Sequence, residues 1–251
     1  ALGIPSSALY GYDNLLPTAV GANNHYRELA FDGFEDYAST YPGPGGGHGH
    51  LEFALGTGGS PALSGTDGVA HTGEQSLKLG ANTSAHYTVT VDDPANARFD
   101  PVIDTDNTYF ISAWVRSDDA ASLQVSHDGS GSMTVQLTAS SDPLANSIEG
   151  WHRLEGTFNA PAAGNQLKIE LIASSATAYF DDIRVQRMRS QMTSYVYDPV
   201  TLWLVAELDA NNYATFYNYD EDGALVQVKK ETVEGIQTIT TNRSNTHRIT
   251  P

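Results

Sequence analysis

The feature that most limits how this chain can fold is a succession of short apolar runs that alternate with a period of two residues. In residues 109–116 one parity is apolar throughout, whereas Ser112 and Arg116 fall on the other parity. Such alternation is typical of a strand that buries one face. Similar runs recur from residue 76 to residue 186, separated by Gly, Pro, Asp, Asn and Ser, and no long stretch keeps a helical period. The pattern therefore predicts an all-β sandwich.

The composition excludes several kinds of protein. The 251 residues contain no cysteine, so there is no disulfide scaffold, thiol nucleophile or thiolate metal site. The 13 basic and 30 acidic residues give a net charge of −17, which makes nucleic acid a poor partner. No apolar run approaches the ~20 residues that span a bilayer. The acidic residues either hydrate the surface or are partly organised to hold cations.

The chain begins at Ala1 without a methionine and ends at Pro251 directly after a strand-like run. A signal peptide removed during export would explain the beginning, but a fragment of a longer chain is the simpler interpretation. The absence of cysteine in a chain rich in Thr, Ser, Asn, Gly and Asp is typical of exported bacterial proteins. We therefore expect an extracellular or cell-surface location.

Three segments follow one another along the chain: residues 1–30, the strand-rich residues 31–189, and residues 190–251. The third segment repeats itself, because the Tyr-x-Tyr-Asp sequence that ends at Asp198 recurs ending at Asp220. Asp222-Gly223 then predicts a hairpin turn, since glycine adopts positive φ without strain. Two such units cannot bury a core alone, so we expect them to pack on a neighbour.

The third segment resembles the YD-repeat (RHS-type) family of large secreted or surface-exposed bacterial proteins, which build spiralling β shells. The resemblance rests on Tyr217-x-Tyr219-Asp220-x-x-Gly223-x-Leu225 and on a first copy that lacks the glycine. Residues 9–24 are also similar to the stretch that precedes an inserted domain in such proteins. This resemblance implies that residues 1–30 and 190–251 are YD-type flanks of residues 31–189.

The middle segment resembles a carbohydrate-binding module of the galactose-binding-like jelly-roll type. Four landmarks in order carry the resemblance: residues 32–35 (DGFE), 71–79 (HTGEQSLKL), 109–116 (YFISAWVR) and 179–185 (YFDDIRV). The resemblance implies a jelly-roll β-sandwich followed by YD-repeat β-hairpins. It does not by itself establish sugar binding, because many such domains only mediate contacts.

The same resemblance implies a structural calcium ion at the edge of the sandwich. Its ligands would come from Asp32, Glu35, the carbonyl groups around His71 and Gly73, and Asp181 or Asp182. Carboxylates and loop carbonyls are the hard oxygen ligands that Ca²⁺ takes. Asp181 shares its parity with apolar neighbours, so we expect it to point inward, where an unpaired carboxylate is costly. Either a cation or backbone hydrogen bonds would remove that cost.

Other chemistry-bearing residues do not form a recognisable catalytic motif. His48 lies in the glycine-rich residues 42–49 and His50 directly follows them; with this pair in a glycine loop and no cysteine, a solvated loop is favoured over a transition-metal site for the pair and for His71. The glycine-rich stretch lacks the Gly-Lys-Ser/Thr ending of a phosphate-binding loop. There is no Gly-x-Ser-x-Gly nucleophile elbow and no glycosidase motif. We therefore predict that the chain is not an enzyme.

Sugar binding would require an exposed aromatic platform flanked by polar groups. Trp114 and Trp151 lie in strong strand patterns and are predicted to be core residues. Tyr37, Tyr41 and Tyr87 are the candidates for a ligand-binding surface, although ordinary packing explains them almost as well. Trp203 is predicted to pack between the repeat units.

The favoured hypothesis is a non-catalytic module that binds a polysaccharide or cell-surface glycan, or mediates adhesion, within a larger parent chain. The alternative is a structural shell or stalk segment that contacts other protein. An exposed strip of aromatic residues on the concave sheet would favour glycan binding. A polar face without aromatic residues would favour the structural role.

Overall fold

The computed structural model describes residues 5–37, 51, 53, 62–96, 98–101, 108–128, 132–137 and 147–242. In this part of the chain 18 strands form three antiparallel sheets. The all-β prediction and the β-sandwich are confirmed. Tyr41, His48 and His50 lie outside the described residues. The helices of the described part are two short 3₁₀ turns, Tyr26–Glu28 and Gly65–Asp67, and neither approaches the length and apolar character needed to cross a membrane.

The strands are, in chain order, β1 Ser6–Gly11, β2 Leu16–Ala22, β3 Ala30–Asp32, β4 Ala62–Leu63, β5 Leu77–Leu79, β6 Thr83–Thr90, β7 Thr108–Ser117, β8 Ala121–His127, β9 Ser132–Leu137, β10 Ser147–Ile148, β11 Trp151–Asn159, β12 Gln166–Ala173, β13 Ala178–Arg187, β14 Gln191–Tyr197, β15 Leu204–Leu208, β16 Ala214–Tyr219, β17 Leu225–Thr232 and β18 Gly235–Thr241.

Two of the sheets form the sandwich. The outer sheet has the strand order β6-β12-β8-β9, and the central sheet has the order β10-β11-β7-β13-β5-β4, with β3 paired to β13. Apolar residues of both sheets meet in one buried cluster, for example Ile111 and Val185 against Leu123 and Ile169. Burial alternates along β6 and β12, as expected for strands with one solvated face. By contrast, β13 is buried on nearly every residue, so the central sheet is covered on both faces.

The flanking sheet covers the second face of the central sheet. Its strand order is β1-β2-β14-β15-β16-β17-β18, so strands from the two ends of the described chain form one sheet. Strand β2 pairs with β14 from Gln191↔Ala22 to Ser194↔Ala19. A second buried cluster lies here, with Leu9, Leu29, Phe31 and Met192 among its members. The molecule is therefore three layers of sheet with the central sheet in the middle.

The repeated Tyr-x-Tyr-Asp sequences end β14 and β16 and begin two matching turns. Asp198 accepts hydrogen bonds from Val200 N and Thr201 N, and Asp220 accepts them from Asp222 N and Ala224 N. Each strand also shifts register just before its second tyrosine. The aspartate is therefore the residue that closes each turn by bonding the backbone ahead of it.

Positive φ falls on different residues of the two turns. The second turn uses Gly223 (φ 80°), as predicted, whereas Leu202 adopts φ 59° in the first. Trp203 packs on Tyr219 with ring centroids 5.1 Å apart, which confirms its predicted position between the two units.

Candidate functional site

The candidate site begins at a bulge in the most buried strand. On one edge of β13, Ala178–Phe180 pairs with β5 and Ile183–Val185 pairs with β3. Between these two pairings the register against β7 shifts, and Asp182 adopts φ 47°. Asp181 and Asp182 occupy the bulge and are both fully buried (0% exposed). The inward position predicted for Asp181 is confirmed, and the bulge places Asp182 inside as well.

Backbone amides of the 71–75 loop bind two of the predicted calcium residues. Asp181 Oδ2 accepts hydrogen bonds from His71 N at 2.7 Å and Thr72 N at 3.3 Å. Glu35 Oε1 accepts hydrogen bonds from the backbone N–H groups of residues 74 and 75 at 2.8 and 2.6 Å. Glu35 Oε2 is buried and has no hydrogen-bond partner among the described residues. We call Asp32, Glu35, Asp181 and Asp182 the Glu35 cluster. Among its carboxylate oxygens, Glu35 Oε2 is the one without a hydrogen-bond partner among the described residues.

Gly73 and Asp32 complete the surroundings of this cluster. A Cβ atom on Gly73 would lie 2.4 Å from the carboxyl group of Glu35, and Gly73 has φ 66°. The loop therefore requires glycine both for its backbone conformation and for the close approach of the carboxylate. Asp32 accepts hydrogen bonds from Phe34 N at 3.0 Å and from the Tyr37 hydroxyl at 2.5 Å.

Burial makes three of these carboxyl groups, Asp32, Glu35 and Asp181, costly to ionise. Burial raises the pKa of Glu35 to about 8. Burial also raises the pKa of Asp32 well above its usual value. The pKa of Asp181 is raised by burial and then by the neighbouring charges of Asp182 and Glu35. A cation among these groups would remove much of the cost of ionising them.

The side chains alone do not make a complete metal site. In the part of the chain that the structure describes, no three His, Asp or Glu side chains are arranged to hold a metal ion together. Both Asp182 oxygens accept a hydrogen bond from the Thr72 hydroxyl, and Oδ2 also lies 2.7 Å from His71 Nδ1. The oxygen atoms of Asp181 and Asp182 are thus engaged in hydrogen bonds, whereas Glu35 Oε2 has no partner among the described residues.

His71 lies in a buried network that joins the sandwich to the flanking sheet. Its Nδ1 is 2.7 Å from Asp182 Oδ2, and its Nε2 is 3.0 Å from Glu231 Oε1, with 3% of the side chain exposed. The imidazole stacks on Trp114, with centroids 4.2 Å apart. Burial opposes protonation, but the hydrogen bonds to Asp182 and Glu231 outweigh it and raise the pKa of His71 to about 9. The charged imidazolium therefore bridges two carboxylates.

This position corrects the expectation that His71 lies in a solvated loop. Its two carboxylate partners are 111 and 160 residues away in the chain. No local pattern around residues 71–79 could have revealed them. The flanking-sheet partner, Glu231, is itself buried in an otherwise half-exposed strand.

Two of the three tyrosines proposed as a ligand surface are inside the molecule, and the third, Tyr41, lies outside the described residues. Tyr37 and Tyr87 are each 7% exposed. The Tyr37 hydroxyl donates to Asp32, and the Tyr87 hydroxyl donates to Phe99 O at 2.7 Å. Both rings are therefore core residues and do not form an exposed platform. Tyr87 faces inward because β6 places every second residue from Ala85 onward in the core.

The solvated face of the outer sheet is polar. The residues that β6, β8 and β12 place on this face are Ser84, His86, Thr88, Thr90, Ser122, Gln124, Ser126, Gln166, Lys168, Glu170 and Ile172. None of these residues of the three strands is Phe, Tyr or Trp. Lys168 Nζ and Glu170 Oε2 form an ion pair at 2.9 Å on this face. The strip of aromatic residues that would favour glycan stacking is absent from these three strands.

A cleft opens at the other side of the sandwich, where the central and flanking sheets meet. This junction cleft has a volume of about 290 Å³ and is lined by Trp114, Ile148, Arg153, Glu155, Tyr213 and Val233. Local sequence patterns did not predict this cleft, because its lining residues come from elements far apart in the chain: β7, β10, β11 and the two turns that flank β16–β17.

The two tryptophans predicted to be core residues lie beside this cleft. Trp114 and Trp151 are buried, as predicted, but they form a cluster separate from the sandwich core. The Trp114 Nε1 donates to Asn212 O at 3.0 Å, which fixes the indole against the flanking sheet. Their aromatic surface therefore joins two sheets.

No protein-family model matches this sequence, and the search of curated proteins also finds no match. The chain is similar in structure to the CBM22-1 xylan-binding domain from Paenibacillus barcinonensis Xyn10C, at 15% identity and a TM-score of 0.38, over 62% of this chain and 92% of that one.

TmCBM61 in complex with β-1,4-galactotriose is similar at 12% identity and a TM-score of 0.32, over 64% of this chain and 90% of that one. The insecticidal δ-endotoxin Cry8Ea1 from Bacillus thuringiensis is similar at 15% identity and a TM-score of 0.31, over 46% and 20% of the two chains. Carbohydrate-binding modules and a toxin thus share this likeness, so function has to be argued from the residues of this chain.

Proposed function

We propose that this chain is a non-catalytic, calcium-stabilised β-sandwich module of a bacterial cell-surface or secreted YD-repeat protein, and that it binds glycan or mediates surface adhesion. The observation that carries the proposal is the set of hydrogen bonds that attaches the sandwich to the flanking sheet. The Arg184 guanidinium donates to Ser194 Oγ and Leu208 O across the two sheets, and Trp114 bonds Asn212. A sandwich held in this way presents the outer sheet and the junction cleft to solvent.

The matching turns after Asp198 and Asp220 support the YD-repeat context. Tyr197 donates its hydroxyl to Pro17 O, and Tyr219 donates its hydroxyl to Leu204 O, so each tyrosine bonds the backbone of the preceding unit of the sheet. The aspartate closes the turn and the tyrosine joins neighbouring units. Both roles would be repeated by further copies in a longer chain.

The enclosure of the titratable groups supports a non-catalytic role. A general acid or base has to come within hydrogen-bond reach of a substrate atom. His71 and Asp182 are enclosed between the central and flanking sheets, and each is committed to its neighbour. Their arrangement joins the two sheets and offers no open position to a substrate.

Calcium is proposed at the Glu35 cluster because Glu35 Oε2 is buried and unpartnered. Glu35, Asp181 and the carbonyls of the loop at His71 and Gly73 would hold the ion, which would supply the missing positive charge. Ca²⁺ titrated into chelator-treated protein should release or absorb heat and raise the melting temperature. A ligand at about 100 times its Kd stabilises a protein by about 2.7 kcal/mol.

The Glu35→Gln variant should lose most of this Ca²⁺-dependent rise in melting temperature, whereas exposed Glu221→Gln in a flanking-sheet turn should keep it. Mg²⁺ at the same concentration serves as the ion control. The absence of both heat and a shift in melting temperature would rule out the calcium site.

The alternative function, a structural shell or stalk segment, is favoured by the polar face of the outer sheet. A glycan array probed with the labelled chain in the presence of Ca²⁺ separates the two functions. Reproducible binding to one glycan class supports recognition. An array without any binder, obtained with a folded and calcium-loaded protein, supports the structural role and contradicts the glycan proposal.

A further inference from the structure

The junction cleft brings an ion pair, an aromatic ring and apolar side chains together. Arg153 pairs with Trp114 across the β11–β7 ladder, and Glu155 lies two residues further along the same face of β11. Tyr213 enters from the turn before β16, and Val233 enters from the β17–β18 turn. Clefts at the meeting of two packed units are common sites for small ligands. This one exists only because the flanking sheet covers part of the central sheet.

The charged groups of the cleft are already paired. Arg153 Nε is 3.1 Å from Glu155 Oε2, and the Arg153 guanidinium carbon lies 4.8 Å from the centroid of the Tyr213 ring. Arg153 also donates to Asn211 O at 2.6 Å. The guanidinium is therefore held in a fixed orientation, while 47% of the Glu155 side chain is exposed to solvent.

This lining selects for a neutral ligand that is rich in hydrogen-bonding groups. A charged ligand would compete with the existing ion pair for one of its members. An apolar ligand would cover Arg153 and Glu155 without satisfying their free hydrogen-bonding positions, which is costly. A ligand with hydroxyl groups and C–H faces can bond both charged groups and also contact apolar surface on Ile148, Tyr213 and Val233.

We propose that the junction cleft binds a short neutral saccharide, and that this cleft is the glycan contact of the module in place of the outer sheet. This inference rests on the proposed glycan-binding function. Hydroxyl groups of the saccharide bond the Glu155 carboxylate and the Arg153 guanidinium, and its C–H faces contact Tyr213 and Val233. The cleft volume of about 290 Å³ is close to the lower limit of the ~300–1,000 Å³ of small-molecule sites, which suits a short ligand.

The test uses the full chain with Ca²⁺ and the neutral oligosaccharides of a glycan array, followed by calorimetry with the strongest binder. Glu155→Gln removes a charged acceptor at the cleft. Tyr213→Ala removes the aromatic wall. Glu170→Gln is the matched control, because Glu170 also pairs with a cation two residues away on its strand, at 2.9 Å, but on the open face of the outer sheet. The cleft variants should weaken binding by about tenfold or more, and the control should leave it unchanged.

The outcomes separate this inference from the proposed function. If the unmodified chain binds saccharide and Glu170→Gln weakens binding while Glu155→Gln does not, the cleft assignment is overturned and glycan binding stands. If the unmodified chain binds no glycan, both the cleft assignment and the proposed glycan-binding function are contradicted. Glu155 is half exposed, so its variant reports on binding even if Tyr213→Ala impairs folding.

Discussion

His71 and Glu231 lie 160 residues apart in the chain, and their side chains meet at 3.0 Å between two sheets. Glu231 also accepts a hydrogen bond from Ala214 N at 3.0 Å through its second oxygen. One side chain thus satisfies a buried imidazolium and a buried backbone amide at once. At the scale of single residues, such polar contacts hold the flanking sheet in register with the sandwich.

Replacing Glu231 with alanine should therefore destabilise the protein. The variant leaves a buried charge and a buried amide without their partner, and breaking a buried ion pair costs about 3–5 kcal/mol. Urea unfolding followed by tryptophan fluorescence measures the loss. Glu234→Ala, an exposed glutamate three residues along the same hairpin, is the control and should change the free energy of unfolding by less than about 0.5 kcal/mol. Equal effects of the two substitutions would contradict the role given to Glu231.

Gly73 allows a second test at the scale of one residue. Gly73→Ala should combine the cost of a positive φ with a clash against the Glu35 carboxyl group 2.4 Å away. Gly164 also has a positive φ (83°) but has no atoms within 4 Å of its Cβ position, so Gly164→Ala isolates the backbone cost of about 1–2 kcal/mol.

We expect Gly73→Ala to be clearly the more destabilising of the two substitutions, and to be the only one that reduces stabilisation by Ca²⁺. Thermal unfolding with and without Ca²⁺ measures both effects. Similar losses in the two variants would show that Glu35 is free to move away from the loop.

At the scale of elements, burial differs sharply from one strand to the next. Strand β7 pairs with both β11 and β13 and is buried along most of its length. Strand β18 is the last strand of the flanking sheet, and five of its seven residues are exposed. Among the described strands it pairs with β17 alone. Strand order therefore predicts a gradient of local stability.

Hydrogen–deuterium exchange should show this gradient. Amides of β7 and β13 should exchange only through global unfolding, whereas those of β18 should exchange through local fraying. Strand β12 is the internal reference, because it has neighbours on both edges but belongs to the outer sheet. Its protection should resemble that of β7. Protection of β18 equal to that of β12 would mean that something else covers this edge in solution.

At the scale of the whole molecule, the sandwich depends on strands from outside it. Arg184 is buried and donates to Ser194, Leu208 and Asp209, all of which belong to the flanking sheet or its turns. Burial lowers the pKa of Arg184 to about 10, so the side chain remains charged and needs these partners. Trp114 and Arg153 bond the carbonyls of Asn212 and Asn211 in the same way. The second face of the central sheet is consequently an interface and not a surface.

Residues 31–189 produced alone should therefore be much less stable than the full chain. The truncation exposes Trp114 and removes the partners of Arg184 and His71 together. Urea unfolding and near-ultraviolet circular dichroism compare the two proteins. We expect a lower midpoint and a loss of the fixed tryptophan environment. A truncated protein as stable as the full chain would show that the flanking sheet is only an attachment.

The sequence by itself determined the secondary structure, because the period of two residues is a local property. Strand Thr108–Ser117 covers the alternating residues 109–116, and the Asp222-Gly223 turn forms as its residue types require. The inward position of Asp181 was predicted from parity, but Asp182 on the other parity is equally buried because both faces of β13 are covered. Of the candidate site, local patterns identified the carboxylates and the loop that surrounds them.

Only the tertiary structure decided which groups face each other. Local alternation does not distinguish a tyrosine on a buried face from one on an exposed face. The burial of Tyr37 and Tyr87 is therefore known only from their packing in the sandwich core. It also cannot show that His71 meets Glu231, or that Trp114 and Arg153 form one side of a cleft completed by Tyr213. These contacts join residues separated by most of the chain, and they arise because strands from both flanks form one sheet over the sandwich. The strands are set by local chemistry, whereas the site is set by how the three sheets stack.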